Sequence, residues 1–228
     1  MAISGSTDFT LVTNTIIEEA CQICGIASEG EEISAYTYSS ARRSLNLISK
    51  AWSAGDHLWI RTQRSLALVE GQTGYTMTSK PGRVVEVRRR NTASGIDVPL
   101  MEWSQSQYLQ QPNKSVESIP TAFYYNPQQA SGTLYVWPTA SAATATDFTL
   151  QLTYLRTIQD FDAADDEADL PQEWLQALSY ALAEQLALKF GVAPDIRQEI
   201  TGRAREYKAA LESWDTEPAS LFLEPVMR

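Results

Sequence analysis

The sequence has 228 residues, of which 43% are apolar, and this is enough to bury a core in one domain or in two small ones. Its 28 acidic and 18 basic residues give a formal net charge of -10. Because tight binding of duplex DNA through its phosphates needs a basic face, this balance disfavours a DNA-gripping protein, although DNA can still pass close by.

The sequence contains no pattern typical of export or of a membrane span. No basic segment followed by an apolar run opens it, and no apolar run approaches membrane-spanning length. We therefore expect a soluble protein that is not exported by the general route and has no membrane partner.

The N-terminal part predicts two amphipathic helices, because apolar residues recur at spacings of three and four. Gly25 and Gly55 follow the two series and are expected to end them. The positions are Val12, Ile16, Ala20 and Ile23 in the first helix, and Tyr38, Ala41, Leu45, Ile48 and Trp52 in the second.

The middle part, from His57 to Arg156, changes to a period of two. Prolines and glycines separate about six alternating segments, which predicts a small β-sandwich or barrel. A short helical turn near Glu102 to Tyr108 is expected to interrupt it. The main segments are Leu66–Leu68, Tyr75–Met77, Val84–Val87, Phe123–Tyr125, Leu134–Trp137 and Phe148–Tyr154.

The C-terminal part predicts an antiparallel helical hairpin. Asp169 and Pro171 suit a helix start, because a carboxylate can accept unpaired backbone N–H groups and proline lacks one. Gly191 and Pro194 end the first helix. The apolar series are Trp174, Leu175, Leu178, Ala181, Leu182, Leu186 and Phe190, followed by Ile196, Ile200, Ala204, Tyr207, Leu211 and Trp214.

We therefore predict an α+β protein with a discontinuous four-helix module, residues 1–55 plus 158–214. The β module, residues 56–157, is inserted between the two halves. The connector from Gln159 to Glu167 is predicted to be too polar for burial. Residues 215–228 form an extended C-terminal tail, because Pro218 and Pro225 prevent a continuous helix there.

The residues that could support catalysis favour structural roles. Cys21 and Cys24 form a C-x-x-C pair at a helix C-terminus behind glutamates, where a reactive thiolate is not stabilised. His57 is the one histidine, which disfavours a catalytic triad and, with two cysteines, a four-ligand zinc site. No phosphate loop or dinucleotide motif is present. We predict no catalytic residue, cofactor or metal.

Two charged segments could each be a solvent-exposed structural segment or a functional site. The carboxylates from Asp160 to Asp169 lack the spacing of the common calcium loop, and a solvated connector is favoured. Arg88, Arg89 and Arg90 lie in a predicted strand, where alternate residues face opposite ways. They could contact phosphate, but a solvated strand end or charge contacts with a neighbouring acidic subunit are favoured.

An ordered series of segments resembles the head-to-tail adaptor proteins of tailed bacteriophages, of the packaged-DNA stabilisation or tail tubular A-like type. The resemblance covers about residues 8 to 214. Its segments are Leu45-Asn46-Leu47-Ile48 with Trp52, Gly71-Gln72-x-x-Tyr75, Pro120 before Phe123-Tyr124-Tyr125, Gly132-Thr133-Leu134-Tyr135-Val136-Trp137-Pro138, Tyr154-Leu155-Arg156, and Asp169-Leu170-Pro171.

This resemblance implies a structural virion protein and not an enzyme. It implies a ring, usually of twelve copies, that docks beneath the portal at the capsid vertex, or neck, after assembly in the host cytoplasm. The ring would present a platform to tail tube, nozzle or fibre proteins. It would form part of the DNA channel, help to retain packaged DNA, and let DNA pass without sequence-specific binding.

Two hypotheses about surfaces follow. An acidic channel wall would repel phosphates, so that DNA slides through the ring and does not stick. Leu221, Phe222 and Leu223 in the tail have no place in the predicted core and are expected to dock on the portal or on a neighbouring subunit.

Two other classes of protein remain as alternatives. A carbohydrate-binding tail component would use exposed aromatic residues such as Tyr124, Tyr135 and Trp137. A peptidoglycan hydrolase would use a pair of carboxylates, but with 28 acidic residues a suitable pair is present by chance.

Overall fold

The structure, a computed structural model, describes residues 5–28, 30–78 and 80–216. These residues divide into two compact units. The helical unit lies within residues 1–52, 57–59 and 158–216, and the β unit comprises residues 53–56 and 60–157. The fold class is α+β, as the sequence predicts.

The helices are α1 (Thr13–Ile23), α2 (Ala35–Trp52), α3 (Gln105–Leu109), α4 (Ala142–Asp147), α5 (Leu175–Lys189) and α6 (Pro194–Trp214). The strands are β1 (Arg61–Ala67), β2 (Gly74–Met77), β3 (Arg83–Asn91), β4 (Asp97–Pro99), β5 (Met101–Glu102), β6 (Glu117–Ser118), β7 (Ala122–Pro127), β8 (Gly132–Trp137), β9 (Thr139–Ala140) and β10 (Phe148–Leu155). Short 3-10 turns, Leu58–Ile60 and Gln172–Trp174, precede β1 and α5. Within the described ranges, no helix combines the length and the apolar character needed to cross a bilayer.

Helix α5 is the central element of the helical unit, because it packs against α1, α2 and α6. Its buried residues lie on several sides of the helix and not on one broad face, as is typical of a core helix. They are Leu175, Ala177, Leu178, Ser179, Leu182, Ala183, Leu186 and Ala187. The prediction that the C-terminal hairpin packs against two further helices is confirmed.

Two predicted helix ends are confirmed by backbone geometry. Gly25 follows α1 with a φ of +66°, and Gly191 follows α5 with a φ of +68°. At the end of α1, the N–H of Ile26 donates to the carbonyl of Cys21 and the N–H of Gly25 donates to that of Gln22. Glycine is favoured at both positions because other residues rarely adopt a left-handed backbone.

The C-terminal hairpin differs from the prediction at its ends. Helical structure begins only at Gln172, and the carboxylate of Asp169 accepts a hydrogen bond from the N–H of Gln159 at 3.0 Å. At the two ends of α6, Ile196 and Trp214 are 45% and 69% exposed. Helix α6 therefore buries the middle of its predicted apolar face, while both end residues stay in solvent.

The prediction that the connector is too polar for burial is wrong at Phe161, which is 2% exposed. Asn46 on α2 donates to the carbonyl of Phe161 at 3.1 Å and accepts from its N–H at 2.9 Å. The backbone N–H of Thr13 donates to the carbonyl of Asp166 at 2.8 Å. Because these bonds satisfy its backbone, the connector packs on α1 and α2 although most of its side chains are acidic.

The β unit contains two four-stranded sheets, ordered β1-β10-β3-β4 and β2-β8-β7-β5, and a two-stranded sheet of β6 and β9. The two larger sheets share one core, so they form a sandwich, and neither closes into a barrel within the described residues. The core residues are Leu68, Tyr75, Met77, Val84, Val87, Leu100, Phe123, Leu134, Val136, Ala140, Leu150 and Leu152.

Several short elements of the β unit have no counterpart in the prediction. Strands β4, β5, β6 and β9 contain two or three residues each, and α4 lies between β9 and β10. Segments this short hold no full period of alternation, so pattern analysis does not detect them. The predicted helical turn is confirmed as α3, where Ser104 and Gln107 form a reciprocal capping box.

Candidate interaction surfaces

His57 and Asp215 form a buried polar pair in the helical unit. The Nδ1 of His57 lies 3.2 Å from Oδ2 of Asp215, and the two side chains are 9% and 6% exposed. The Asp215 carboxylate also accepts the N–H of Leu58 at 3.1 Å, and the His57 ring packs edge-on against Trp174 at 4.8 Å. The pair thus fastens the end of α6 to the turn at residues 57–59, and Asp215, the first residue of the predicted tail, belongs to the folded unit.

The two cysteines are buried in the helical unit as free thiols. The Sγ of Cys24 donates to the carbonyl of Ala183 at 3.0 Å. Burial, with Cys21 nearby, raises the pKa of the Cys24 thiol to about 12. Burial, with the charge of Glu18, also raises the pKa of Cys21. Raised pKa values are the opposite of what a reactive cysteine pair needs.

The acidic connector uses its carboxylates within the chain. Asp160 pairs with Lys50 at 2.6 Å. The Oδ2 of Asp166 accepts the backbone N–H groups of Asp162 and Ala163, and these hydrogen bonds lower the pKa of Asp166. Across residues 5–28, 30–78 and 80–216, no cluster of three or more His, Cys, Asp or Glu side chains is placed to hold a metal ion.

The three arginines of β3 divide between the two faces of their sheet. Arg90 donates twice to the carboxylate of Asp97, with both distances 2.7 Å, and lowers the pKa of that carboxyl. Arg88 lies 3.7 Å from the same carboxylate, and its buried Nε has no hydrogen-bond partner among the described residues. Arg89 faces the other way and donates to the carbonyl of Pro120 at 2.7 Å.

Arg88 and Arg90 belong to the outer face of the β1-β10-β3-β4 sheet, which we call the outer arginine face. The register aligns Ser65, Gln151 and Arg88 in one row across β1, β10 and β3. Gln151 donates to the hydroxyl of Ser65 at 3.0 Å. The remaining members, Gln63, Ala67, Glu86, Arg90, Thr149 and Thr153, lie in the neighbouring rows and are exposed or half-buried. This face is therefore polar and accessible, and bears charged groups of both signs.

The aromatic residues of β7 and β8 pack against each other and against the segment that contains α3. Tyr108 of α3 is buried and lies 5.5 Å from the Tyr124 ring and 5.0 Å from the Tyr135 ring. Trp137 packs at 5.2 Å from Trp103. A sugar platform needs open ring faces, whereas these faces meet other rings, so the structure offers no support for the carbohydrate-binding alternative.

Large apolar side chains remain exposed on both units. Tyr36 and Leu47 on α2 are 76% and 60% exposed. In the β unit, Ile96 and Met101 near β4 and β5 are 63% and 67% exposed. Single exposed apolar residues are common on any protein, so exposure alone does not assign these residues a role.

The two units differ in charge. The sequence of the helical unit, counted over residues 1–52, 57–59 and 158–228, contains 21 acidic and 9 basic residues. The β unit contains 7 acidic and 9 basic residues. The negative charge of the protein therefore comes from the helical unit.

The predicted docking residues Leu221, Phe222 and Leu223 lie outside the described residues. Sequence analysis did not find Asp215 as a partner of His57 or Asp97 as a partner of Arg90. For Arg90 the one sequence signal is an opposite charge a few residues away, and for Asp215, which follows the end of α6, there is none, because its partner His57 is distant in sequence.

The structure thus combines an acidic helical unit with an inserted β sandwich, and Cys24, His57 and Asp166 make contacts within the chain. The chain belongs to the SU10 adaptor protein family, whose model matches residues 17–220. It is a structural head-to-tail adaptor. No curated protein sequence is significantly similar to it.

Three solved structures align with nearly the whole chain at low sequence identity. A chain from the neck of an empty gene transfer agent particle with C6 symmetry is 14% identical over 94% of this chain and 96% of that chain, with a TM-score of 0.31. A chain from the virion of a native gene transfer agent particle is 14% identical over 93% and 96%, with a TM-score of 0.33. A chain from the neck of a native particle with C12 symmetry is 12% identical over 94% and 98%, with a TM-score of 0.29.

Proposed function

We propose that this adaptor works as a closed ring of about twelve copies at the capsid vertex. The ring joins the portal to tail tube, nozzle or fibre proteins, forms part of the DNA channel and helps to retain packaged DNA. The observation that carries this proposal is the family match over residues 17–220. The protein performs this role without catalysis, cofactor or metal, in the neck of the virion after assembly in the host cytoplasm.

Ring closure needs two different complementary surfaces on each subunit, because each copy meets its two neighbours head to tail. The exposed apolar residues of α2 and of strands β4 and β5 are candidates for these contacts. Leu47 and Met101 are each at least 60% exposed. Burying a side chain of this size contributes about 1.5–3 kcal/mol. Several such contacts per interface would be needed, because association itself costs about 4–15 kcal/mol.

The outer arginine face is proposed as a charged part of the interface between subunits. Arg90 already pairs with Asp97, so a neighbouring carboxylate would extend an existing charge network and would not meet an isolated cation. Arg88 lies 3.7 Å from both Glu86 and Asp97, so it belongs to the same charge network. Such charge pairs determine the orientation of a contact more than its strength.

The helical unit is proposed to supply the wall of the DNA channel, because it contains 21 of the 28 acidic residues. Like charges on the wall and on the DNA phosphates repel, so DNA would not be held by counterion release. The channel would thus let DNA move during ejection without reading its sequence.

The tail is proposed to dock on the portal or on a neighbouring subunit through Leu221, Phe222 and Leu223. Burial of each side chain contributes about 1.5–3 kcal/mol. Ordering the backbone costs about 1–2 kcal/mol per residue. One tail is therefore marginal, whereas copies engaged around a ring bind strongly through effective concentration.

Mass photometry of the purified chain, alone and mixed with portal, tests the proposed ring. We expect a portal-dependent species whose mass corresponds to about twelve adaptors on one portal. A chain that stays monomeric with portal under all conditions would contradict the proposal.

A further inference from the structure

The helical unit contains an open groove between α1, with the segment before it, and the first turns of α5. Its volume is about 360 Å³. Its apolar lining consists of Phe9, Leu11, Ile23, Leu175 and Tyr180. The groove is thus large enough for apolar side chains and lies within a single compact unit.

The groove has an apolar floor and a polar rim. Leu175 at the floor is 2% exposed, whereas Phe9 at the edge is 64% exposed. Glu19, Gln172 and Gln176 are exposed and lie around the opening. An apolar groove with a polar rim is the arrangement that accepts an apolar segment flanked by solvent-exposed residues.

The described chain ends close to this groove. Asp215 is fixed to His57, and the ring of His57 lies 4.8 Å from that of Trp174. Trp174 directly precedes Leu175, the residue at the groove floor. The described chain therefore ends beside the Gln172–Trp174 turn, which precedes α5 and contributes Gln172 to the groove.

The length of the remaining chain is sufficient to reach the groove. Leu221 is the sixth residue after Asp215, and a fully extended chain covers at most about 20 Å over that length. Along α5, the five residues from Leu175 to Tyr180 rise by about 8 Å. The apolar segment can thus enter the groove of its own chain without help from a second copy.

We propose that Leu221, Phe222 and Leu223 dock in the groove of their own chain while the subunit is free. Their attachment to the same chain gives an effective concentration in the millimolar range, which a second copy in dilute solution does not reach. Docking on the portal or on a neighbour then competes with this internal position. The inference concerns the free subunit and does not require the ring.

Disulfide trapping in the full-length free protein tests the inference. One variant combines Gln176→Cys at the groove rim with Ser220→Cys next to the apolar segment. The control combines Leu188→Cys with Ser220→Cys, because Leu188 is 62% exposed on the same helix but lies about 18 Å further along it. The native thiols of Cys21 and Cys24 are buried and do not compete at neutral pH.

Under mild oxidation at low protein concentration, we expect the groove variant to form an intramolecular disulfide at least about tenfold faster than the control. Adding Leu221→Ser, Phe222→Ser and Leu223→Ser should remove this preference. Equal rates in the two variants, or a disulfide-linked dimer as the main product, would overturn the inference. The experiment uses the free subunit without portal or ring. A negative result would therefore contradict tail docking in the groove but not the proposed ring. Failure of ring assembly, in turn, would not contradict tail docking in the free subunit.

Discussion

The carboxylate of Asp215 and the imidazole of His57 meet at 3.2 Å in the interior of the helical unit. The same carboxylate accepts the Leu58 N–H, so one side chain satisfies two groups of the turn at residues 57–59. This contact brings the end of α6 to the place where the chain leaves the helical unit for the β unit. The single histidine of the sequence is thereby explained as a structural residue.

Replacing Asp215 by alanine should destabilise the helical unit by about 1–3 kcal/mol, because a buried donor is left without its acceptor. Urea denaturation followed by circular dichroism measures this difference. Asp165→Ala is the matched control, since Asp165 is exposed and its replacement should change stability by about 0.5 kcal/mol or less. Equal stability of the two variants would show that the Asp215 contact contributes nothing.

Replacing Phe161 by alanine should cost about 3–5 kcal/mol of unfolding free energy, because the ring is 2% exposed and its loss leaves a cavity. Leu47→Ala on α2 removes a 60% exposed side chain and should have little effect. Thermal unfolding of both variants measures the difference. A Phe161→Ala protein as stable as the parent would mean that the connector is not part of the helical core.

The thiols of Cys21 and Cys24 should not react with a thiol reagent in the native protein at pH 8. The pKa of Cys24 is raised to about 12, so the reactive thiolate is almost absent at that pH. Unfolding in urea should release two reactive thiols, and a fast reaction without denaturant would contradict the burial of the pair.

The same pKa shift predicts how stability depends on pH. Because the folded state holds the Cys24 thiol protonated, its contribution is fully present below the ordinary pKa of 9.0 and is lost as the pH rises toward about 12. Denaturant midpoints across this range should therefore fall more steeply for the parent than for a Cys24→Ala variant. Parallel pH profiles would contradict this linkage.

The double variant Arg88→Ala and Arg90→Ala should assemble poorly with the portal while its subunits remain folded. Arg90 and Asp97 form an exposed pair, which contributes little to the fold but is accessible to a neighbour. Arg64→Ala, on β1 of the same sheet, is the control for a general loss of positive charge. Mass photometry with portal and a thermal melt of the free chain separate assembly from folding. Normal assembly of the double variant would remove the outer arginine face from the proposed interface.

Deleting residues 217–228 should weaken attachment to the portal, because the apolar tail residues are removed. Thermal unfolding should fall only by what the internal docking of the free tail contributes, which is small for a marginal contact. The matched control replaces Pro218 by alanine and keeps the apolar residues. Normal loading of the truncated protein onto heads would show that the tail is not the anchor.

The parts of the fold that the sequence predicts well depend on local rules. Gly25 and Gly191 end helices because their left-handed backbone suits glycine, and the predicted turn near Glu102 to Tyr108 forms α3. The long apolar series predict α1, α2, α5 and α6, since each covers several turns. In β10, strict alternation of Phe148, Leu150, Leu152 and Tyr154 correctly predicts a strand with one buried face.

The parts that the sequence does not predict depend on contacts between distant residues. Phe161 is surrounded by carboxylates in sequence, and its burial follows only from the position of Asn46 on α2. The helical pattern ends at Trp214, so the sequence places Asp215 in the tail, and its contact with His57 is between residues distant in sequence. The pairing of Arg90 with Asp97 requires the β3–β4 register, which short strands do not reveal.

Cryo-EM of the capsid vertex in infectious particles tests the central claim most directly. The proposed function predicts a ring of about twelve copies of this chain between portal and tail, with the carboxylates of the helical unit facing the channel. A vertex without this chain, a single copy of it, or a ring lumen lined mainly by lysine and arginine would contradict the account.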